Sequence, residues 1–283
     1  MSRTFLRHGF TLIELSIVLV IIGLIVGGIL AGNELVRAAK LRSLIKEVNQ
    51  LTTAVNTFKG KYNCLPGDCA RATQFFGTAG DCTVQLDDTA TCSGNGDGII
   101  LSDSFYNQGG EHLYMAHHMK LAGLTDLPLT QPNDKSVLDA GLFLNLPGRN
   151  VLGSNAEKTI GYTVAPVLDS MIAASGSPVI CSFPGSPPVL GNQITMGGQG
   201  IYYPYMHSRT TIAQPAMSGM DAYSIDAKMD DGHPARGKII VPIYAYWAGM
   251  TNQPACNSSF GDSLTYYRTE DKARGGLMFL TNF

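Results

Sequence analysis

Glu14 is the residue whose position carries the most chemistry. It sits in Phe10-Thr-Leu-Ile-Glu14-Leu15, at the head of an apolar run that continues to Leu30 and is broken only by Ser16, Gly23, Gly27 and Gly28. A carboxylate within a bilayer costs about 2.5–3.5 kcal/mol even on a lenient insertion scale, so an acid here needs a cationic partner and marks a functional position. An α-amino group is the nearest candidate. If the chain is cut between Gly9 and Phe10, the new amine of Phe10 lies one helical turn from Glu14. The same amine on a neighbouring chain neutralises the acid when helices stack side by side. The competing placement puts Glu14 in the headgroup region, where water serves it.

Other clusters suggest metals or catalysis less directly. Asn95, Asp97, Gly98 and Asp103 resemble part of a calcium loop, which needs oxygen ligands at alternating positions, a glycine at the turn and an acid near the end. Ser93 and Ser104 fall where the first and last ligands belong, so a glycine-rich surface turn competes with calcium, the one cofactor the sequence suggests. Asp226, Asp230 and Asp231 read as a solvated helix end in which Asp230 or Asp231 orders the turn. Glu111-His112 with His117 and His118 lacks the HExxH spacing, and these histidines are expected to be packed rather than metal-bound. Ser43-Leu-Ile-Lys46 lies on a packing helix, and Gly197-Gly-Gln-Gly200 is too short for a phosphate loop. No Ser/His/Asp set assembles, so no enzymatic activity is expected. Tyr202, Tyr203, Tyr205, Tyr244, Tyr246 and Trp247 are expected in the core by default, with subunit contacts or a ligand-facing surface as the alternatives.

The six cysteines are spread over the part after the apolar run and include no CxxC, which favours disulfides in an oxidising compartment over a metal site. Pairing neighbours gives Cys64–Cys69 and Cys82–Cys92, and elimination leaves Cys181–Cys256. Sequence alone leaves the other connectivities open. If formed, the last bridge closes the longest loop, and the chain-entropy view assigns it about 4–4.5 kcal/mol.

These residues need elements to position them. From Phe10 to Gly32 the apolar stretch is long enough for a membrane-spanning helix. It is too long for the core of an ordinary signal peptide and is followed by no small-residue cleavage site. Beyond it, Leu41, Leu44, Ile45, Val48, Leu51, Val55, Phe58 and Tyr62 recur at three- and four-residue steps, with Arg37, Lys40, Arg42, Lys46, Glu47 and Lys61 elsewhere. No proline intervenes before Pro66, so one helix of roughly 75 Å is predicted from about Thr11 to Tyr62. Four cations follow the span closely, whereas Arg3 and Arg7 precede it, which by count alone puts the C-terminal side in the cytoplasm. The cysteines argue for the opposite orientation.

The remaining chain is rich in glycine (32) and proline (14), only 15% of residues are charged and the net charge is −2, which leaves no basic stripe for nucleic acid. A tight turn is predicted at Asn63–Cys69, a loop over 78–98, a helix from Gly110 to Ala122 stopped by Gly123, and a capped helix from Ser218 through Met229 closed by Gly232. Strands are predicted at Thr159–Val167, Pro178–Cys181, Lys238–Trp247, Ser263–Tyr267 and Leu277–Phe283. The fold class is α+β: a long N-terminal helix packed on a mostly antiparallel sheet with disulfide-stapled loops.

Gly9-Phe10-Thr11-Leu12-Ile13-Glu14 before an apolar helix resembles the processing signal of type IV prepilins and type II secretion pseudopilins. Leu65-Pro-Gly-Asp68, Gly94-Asn-Gly-Asp-Gly98, Lys120-Leu-Ala-Gly-Leu124 and Ile225–Gly232 resemble stretches of a proteobacterial subgroup with large C-terminal domains. The resemblance implies a leader (1–9), a helix (10–62, with 10–32 for membrane and assembly and 33–62 amphipathic) and a pilin-like extracytoplasmic domain (63–283). It implies that a prepilin peptidase cuts at Gly9–Phe10 and N-methylates Phe10, and that Glu14 guides docking with identical or related subunits. It further implies inner-membrane assembly machinery, residence in the inner membrane with a periplasmic domain, and then a periplasmic or extracellular filament. Ala31 stands where many pilins carry a proline. The rival readings are a membrane-tethered binding or adhesion protein that does not polymerise, and an anchored hydrolase.

Overall fold

The computed structural model describes residues 11–77, 91–100, 110–131, 138–139, 142–166, 191–198, 200–202, 216–233, 237–240, 273–281 and 283. Two compact units divide the chain, Met1–Arg42 and Ser43–Phe283. Helix α1 (Leu12–Tyr62) runs unbroken through 51 residues, so the second unit begins inside the helix rather than after it.

Local signals fix both ends of α1. Thr11 caps its start, and Asn63 in the left-handed region (φ 54°) ends it, with the Asn63 N–H donating to the Lys59 carbonyl at 2.9 Å. Lys59 and Lys61 in the last turn complement the negative end of the helix. Along 12–36 the large apolar side chains, from Leu12 to Val36, are exposed. This segment is long and apolar enough to cross a membrane.

Within the second unit Leu44, Val48, Leu51, Val55 and Phe58 are buried, the stripe predicted from their spacing. Glu47 departs from the prediction that it belongs to the charged face, for it is buried as well. Helix α2 (Ala72–Phe76), which the sequence did not signal, brings Phe75 and Phe76 against Tyr62 at ring separations of 5.1 Å each.

Helix α3 (Glu111–Leu121) ends at Gly123 (φ 66°), where Leu124 N–H bonds to Met119 O and Gly123 N–H to Lys120 O, both at 3.0 Å. That is the Schellman closure a terminal glycine permits. Every residue of α3 from Glu111 to Met119 is buried, so it is a core helix rather than an amphipathic surface one. Helix α4 (Gly219–Met229) starts as predicted, with Ser218 accepting from the Asp221 N–H at 3.2 Å and its hydroxyl bonded to the Asp221 carboxylate at 2.9 Å. Ser218→Ala is expected to cost about 1 kcal/mol of stability in urea denaturation, the usual value of an N-cap.

The strands are β1 (Leu138–Asp139), β2 (Leu142–Asn145), β3 (Leu152–Gly153), β4 (Gly161–Pro166), β5 (Asn192–Gly197), β6 (Gly200–Tyr202), β7 (Met217–Ser218), β8 (Ile239–Ile240), β9 (Ala273–Gly275) and β10 (Leu277–Phe279). The main sheet has order β3-β4-β5-β10-β8 and is antiparallel throughout. Its register aligns Leu152, Tyr162, Met196 and Leu277 in one row and Val164, Ile194, Phe279 and Ile239 in another, all buried. Cross-strand rows of this kind are what hold a register in place. Smaller antiparallel sheets join β1-β2-β6 and β7-β9, the latter with a bulge at Met217/Ser218.

The architecture is therefore α+β and pilin-like: a long N-terminal helix, antiparallel sheet and a Cys64–Cys69 disulfide. Strands β4, β8 and β10 lie within three of the predicted segments, while Pro178–Cys181, Ser263–Tyr267 and the part of Lys238–Trp247 beyond Ile240 fall outside the described residues. The central strand β5 was not predicted. It begins Asn192-Gln193, polar residues that are fully buried because their amides bond to backbone: Asn192 accepts from Ile100 N–H at 2.7 Å and donates to Gly98 O at 2.8 Å.

Candidate functional site

At the start of α1, Thr11 and Glu14 form a reciprocal capping box. The Thr11 N–H donates to Glu14 Oε2 at 2.8 Å, the Thr11 hydroxyl donates to the same oxygen at 2.7 Å, and the Glu14 N–H approaches the Thr11 hydroxyl at 3.3 Å. Two amides that the first helical turn would otherwise leave unserved are satisfied, which matters most where water is scarce. The acid of the apolar run is thus aimed back over its own helix start. Gly9 and Phe10 lie outside the described residues.

Downstream, a Cβ placed at Gly23, Gly27, Gly28 or Gly32 would meet nothing within 4 Å. Each presents bare backbone on an exposed helix, the condition under which helices approach closely in a bilayer. The helix stays intact through these glycines and through Ala31.

A second polar constellation joins sequence motifs that are far apart. Asp68 accepts backbone N–H groups from Gly96 (2.7 Å) and Asp97 (3.1 Å) at Oδ1 and from Gly98 (2.8 Å) at Oδ2. Glu111 Oε1 accepts from Asn95 N–H at 2.9 Å. The turn at Leu65–Asp68 and the loop at Gly94–Gly98 therefore fold around one carboxylate. A Cβ at Gly67 would come within 2.3 Å of the Glu111 carbonyl oxygen, and one at Gly94 within 2.4 Å of Asp68 Cα, so both positions need glycine for close approach. Burial raises the Asp68 carboxyl above the ordinary carboxylate range, against the pull of the Gly98 and Gly96 amides, and the Asp97 charge adds to the rise.

Of the expected calcium ligands, Asn95 and Asp97 close the loop on each other, with Asn95 Nδ2 donating to Asp97 Oδ2 at 2.9 Å and Asp97 Oδ1 accepting from Ile99 N–H at 2.8 Å. It is the loop's N–H groups that turn toward Asp68. Asp103 lies outside the described residues, so the described residues do not bring the three together. Asp226, Asp230 and Asp231 offer oxygens within 4.8 Å of one another. Each accepts backbone N–H groups of the turn after α4: Asp226 from Gly232, Asp230 from Lys238 and Ile239, and Asp231 from His233.

His112, His117 and His118 are all buried. His118 Nδ1 accepts the Gly67 N–H at 2.9 Å, which assigns the proton to Nε2, and Nε2 donates to Cys92 O at 2.7 Å. The ring stacks on Phe58 at 6.1 Å with 5° between planes. Burial pushes its pKa down to about 4, outweighing the Cys92 carbonyl, with His117 adding to the fall.

Cys64–Cys69 is bridged within the Asp68 turn. Cys92 is also in a disulfide, and Cys82, Cys181 and Cys256 lie outside the described residues, so the pairings Cys82–Cys92 and Cys181–Cys256 do too. Tyr202 is in β6, while Tyr203, Tyr205, Tyr244, Tyr246 and Trp247 are outside the described residues.

Glu47 is the buried group that sequence reasoning misplaced. Its Oε2 accepts from the Tyr162 hydroxyl at 2.7 Å, and Oε1 from Asn155 and Ala156 N–H at 3.2 and 3.3 Å. The available signal was spacing: Glu47 is three residues after Leu44 and four before Leu51, on the buried stripe itself.

Residues 5–30 match the prokaryotic N-terminal methylation motif. No curated protein matches the chain, and no solved structure does. The match covers Gly9–Phe10, the capping box and most of the exposed apolar helix, and it supports the class of type IV pilin- and pseudopilin-like subunits. Processing by a prepilin peptidase and anchoring through α1 follow from the motif and the apolar helix.

Proposed function

We propose that this chain is a structural subunit of a type IV pilus or type II secretion pseudopilus-like filament, and that it polymerises through Phe10–Leu30 after removal of residues 1–9. The observation that carries the proposal is Glu14, a single acid on an exposed apolar helix, inside the methylation motif at the position where a freed Phe10 amine on a neighbour neutralises it. Assembly then relieves the cost of the intramembrane carboxylate as well as packing helix against helix. The partners are a prepilin peptidase, copies of this or a related subunit, and assembly machinery in the inner membrane. The globular unit lies on the periplasmic side, where its disulfides form.

The test is fractionation. Glu14→Ala is expected to stay in the membrane fraction with its leader removed and to be absent from sheared filaments. A normal filament yield from that variant sinks the proposal. Replacing Gly9 by a bulky residue is expected to block maturation, read by mass spectrometry as retention of residues 1–9. A wild-type chain that matures but yields no filament points instead to a tethered binding protein.

A further inference from the structure

We propose that Asn95-Gly96 and Asp97-Gly98 are latent succinimide sites, and that Asp68 keeps both closed by holding the backbone nitrogen that each reaction needs. The chain has one Asn-Gly pair, 95–96, and two Asp-Gly pairs, 97–98 and 231–232. A glycine nitrogen is the least hindered nucleophile in a backbone, and it can close on the side-chain carbonyl carbon of the residue before it. At Asn95 the Gly96 nitrogen, having given its proton to water, bonds to Cγ. The bond from Cγ to the side-chain nitrogen breaks, and ammonia leaves with a proton taken back from water. Water then opens the ring at either carbonyl and leaves aspartate or isoaspartate. At Asp97 the Gly98 nitrogen closes on Cγ with loss of water, and reopening gives the same two products. Water is the only co-reactant.

The loop cannot avoid glycine, because Gly96 and Gly98 hold φ of 80° and 86° in the left-handed region. Residues 95–99 are also exposed to water. Yet the attacking nitrogen of each pair is engaged: the Gly96 N–H donates to Asp68 Oδ1 at 2.7 Å and the Gly98 N–H to Asp68 Oδ2 at 2.8 Å. Attack requires that bond to break and the nitrogen to lose its proton beside a carboxylate, whose charge opposes the anion being formed. The Asn95 side chain is held as well, with Oδ1 accepting from the Asp97 N–H and Nδ2 donating to Asp97 Oδ2, both at 2.9 Å. The third pair repeats the arrangement after helix α4. Gly232, at φ 73°, donates its N–H to Oδ1 of the fully buried Asp226 at 3.3 Å. Each reactive pair in the sequence thus has its nitrogen tied to a buried aspartate. The inference does not depend on the filament reading.

The experiment ages the full chain in detergent at neutral pH and follows each pair by peptide mapping, with fragmentation that tells isoaspartate from aspartate. In folded wild type, Asn95 is expected to deamidate at least about tenfold more slowly than in the urea-unfolded chain, the scale of one charge-assisted hydrogen bond. Asp68→Asn keeps the size but leaves one acceptor oxygen for three N–H groups. It is expected to speed conversion at Asn95 and Asp97 about tenfold while Asp231 stays within about twofold of wild type. Asp226→Asn is expected to do the reverse. Equal acceleration at all three pairs marks a general loosening of the fold and overturns the proposal. So does an unchanged or slower rate at Asn95 and Asp97 in folded Asp68→Asn, the fold being read by near-ultraviolet circular dichroism. Hydrogen exchange of wild type needs no variant: the Gly96 and Gly98 amides are expected to exchange at least about tenfold more slowly than in the unfolded chain, although their loop is exposed. Exchange at the unfolded rate overturns the proposal, and if Asp68→Asn does not fold, the wild-type measurements and Asp226→Asn decide it.

Discussion

Glu47→Ala is expected to lower the unfolding free energy of the globular unit by about 2–3 kcal/mol, because it strips the buried Tyr162 hydroxyl, and two less buried amides with it, of one acceptor at a stroke. The Tyr162 hydroxyl and the Asn155 and Ala156 N–H groups all converge on that carboxylate, which is 4% exposed. Burial holds the Tyr162 hydroxyl far above the ordinary tyrosine range, with the Glu47 charge adding to it, so Tyr162 stays a donor at any working pH. Glu47→Gln keeps an oxygen for the two amides and is expected to cost only about 1 kcal/mol. Tyr162→Phe falls between, since it removes one donor from a buried charge. The double variant Glu47→Ala/Tyr162→Phe costs less than the sum, because the second change no longer orphans a partner. Urea denaturation of the detergent-held chain, followed by near-ultraviolet circular dichroism, measures all four. A loss below about 1 kcal/mol for Glu47→Ala means that water serves these groups and that the cluster is no anchor.

Acidification is expected to weaken the globular unit through His118. Its folded pKa is about 4, below the ordinary 6.5, because burial penalises the charged ring and outweighs the Cys92 carbonyl, with His117 adding to the fall, and the Gly67 N–H is accepted by an unprotonated Nδ1. Above pH 6.5 the ring is neutral folded or unfolded, and the contribution is complete. As pH falls from 6.5 toward 4 the unfolded chain takes up the proton first, so stability declines, and below about 4 the contribution is gone. The gap corresponds to about 3 kcal/mol. Asp68 runs the other way: its raised carboxyl favours the folded state as pH falls through the carboxylate range. The upper part of the window therefore belongs to His118. The clean measurement is the difference between wild type and His118→Gln. That difference is expected to be about 2–3 kcal/mol at pH 7.5 and to shrink toward zero near pH 4. A difference independent of pH would falsify the assignment of a neutral buried ring.

Much of this molecule is local and was legible as such. The stripe Leu44, Val48, Leu51, Val55, Phe58 declared a helix because side chains three and four apart share a face whatever lies beyond. Thr11-x-x-Glu14 and Ser218-x-x-Asp221 are caps closed within one turn, and the bridge Cys64–Cys69 spans a separation of five. Even so, the cap at Thr11 was not drawn from the sequence, which pointed Glu14 at a neighbour's amine and passed over the hydroxyl three residues before it.

The distant pairings had no such signature. Leu65–Asp68 and Gly94–Gly98 both stood out as motifs, but nothing in their spelling says that the carboxylate of one is wrapped by the amides of the other, 28 to 30 positions on. Strand β5 lacks alternation because its opening Asn192 and Gln193 are buried by bonding to backbone, as in the contact from Gln193 to Thr281 N–H, 88 positions away.

By itself, then, the order of amino acids determined the processing signal, the long helix and its apolar stripe, and the α+β class, since each follows from backbone periodicity or from contacts within a turn or two. The tertiary structure alone decided that Glu47 is buried against Tyr162, 115 positions away, that α3 is core on all sides and that His118 is a neutral staple. A charged or polar side chain can be buried only where its partners converge, and that convergence is a property of the packed chain.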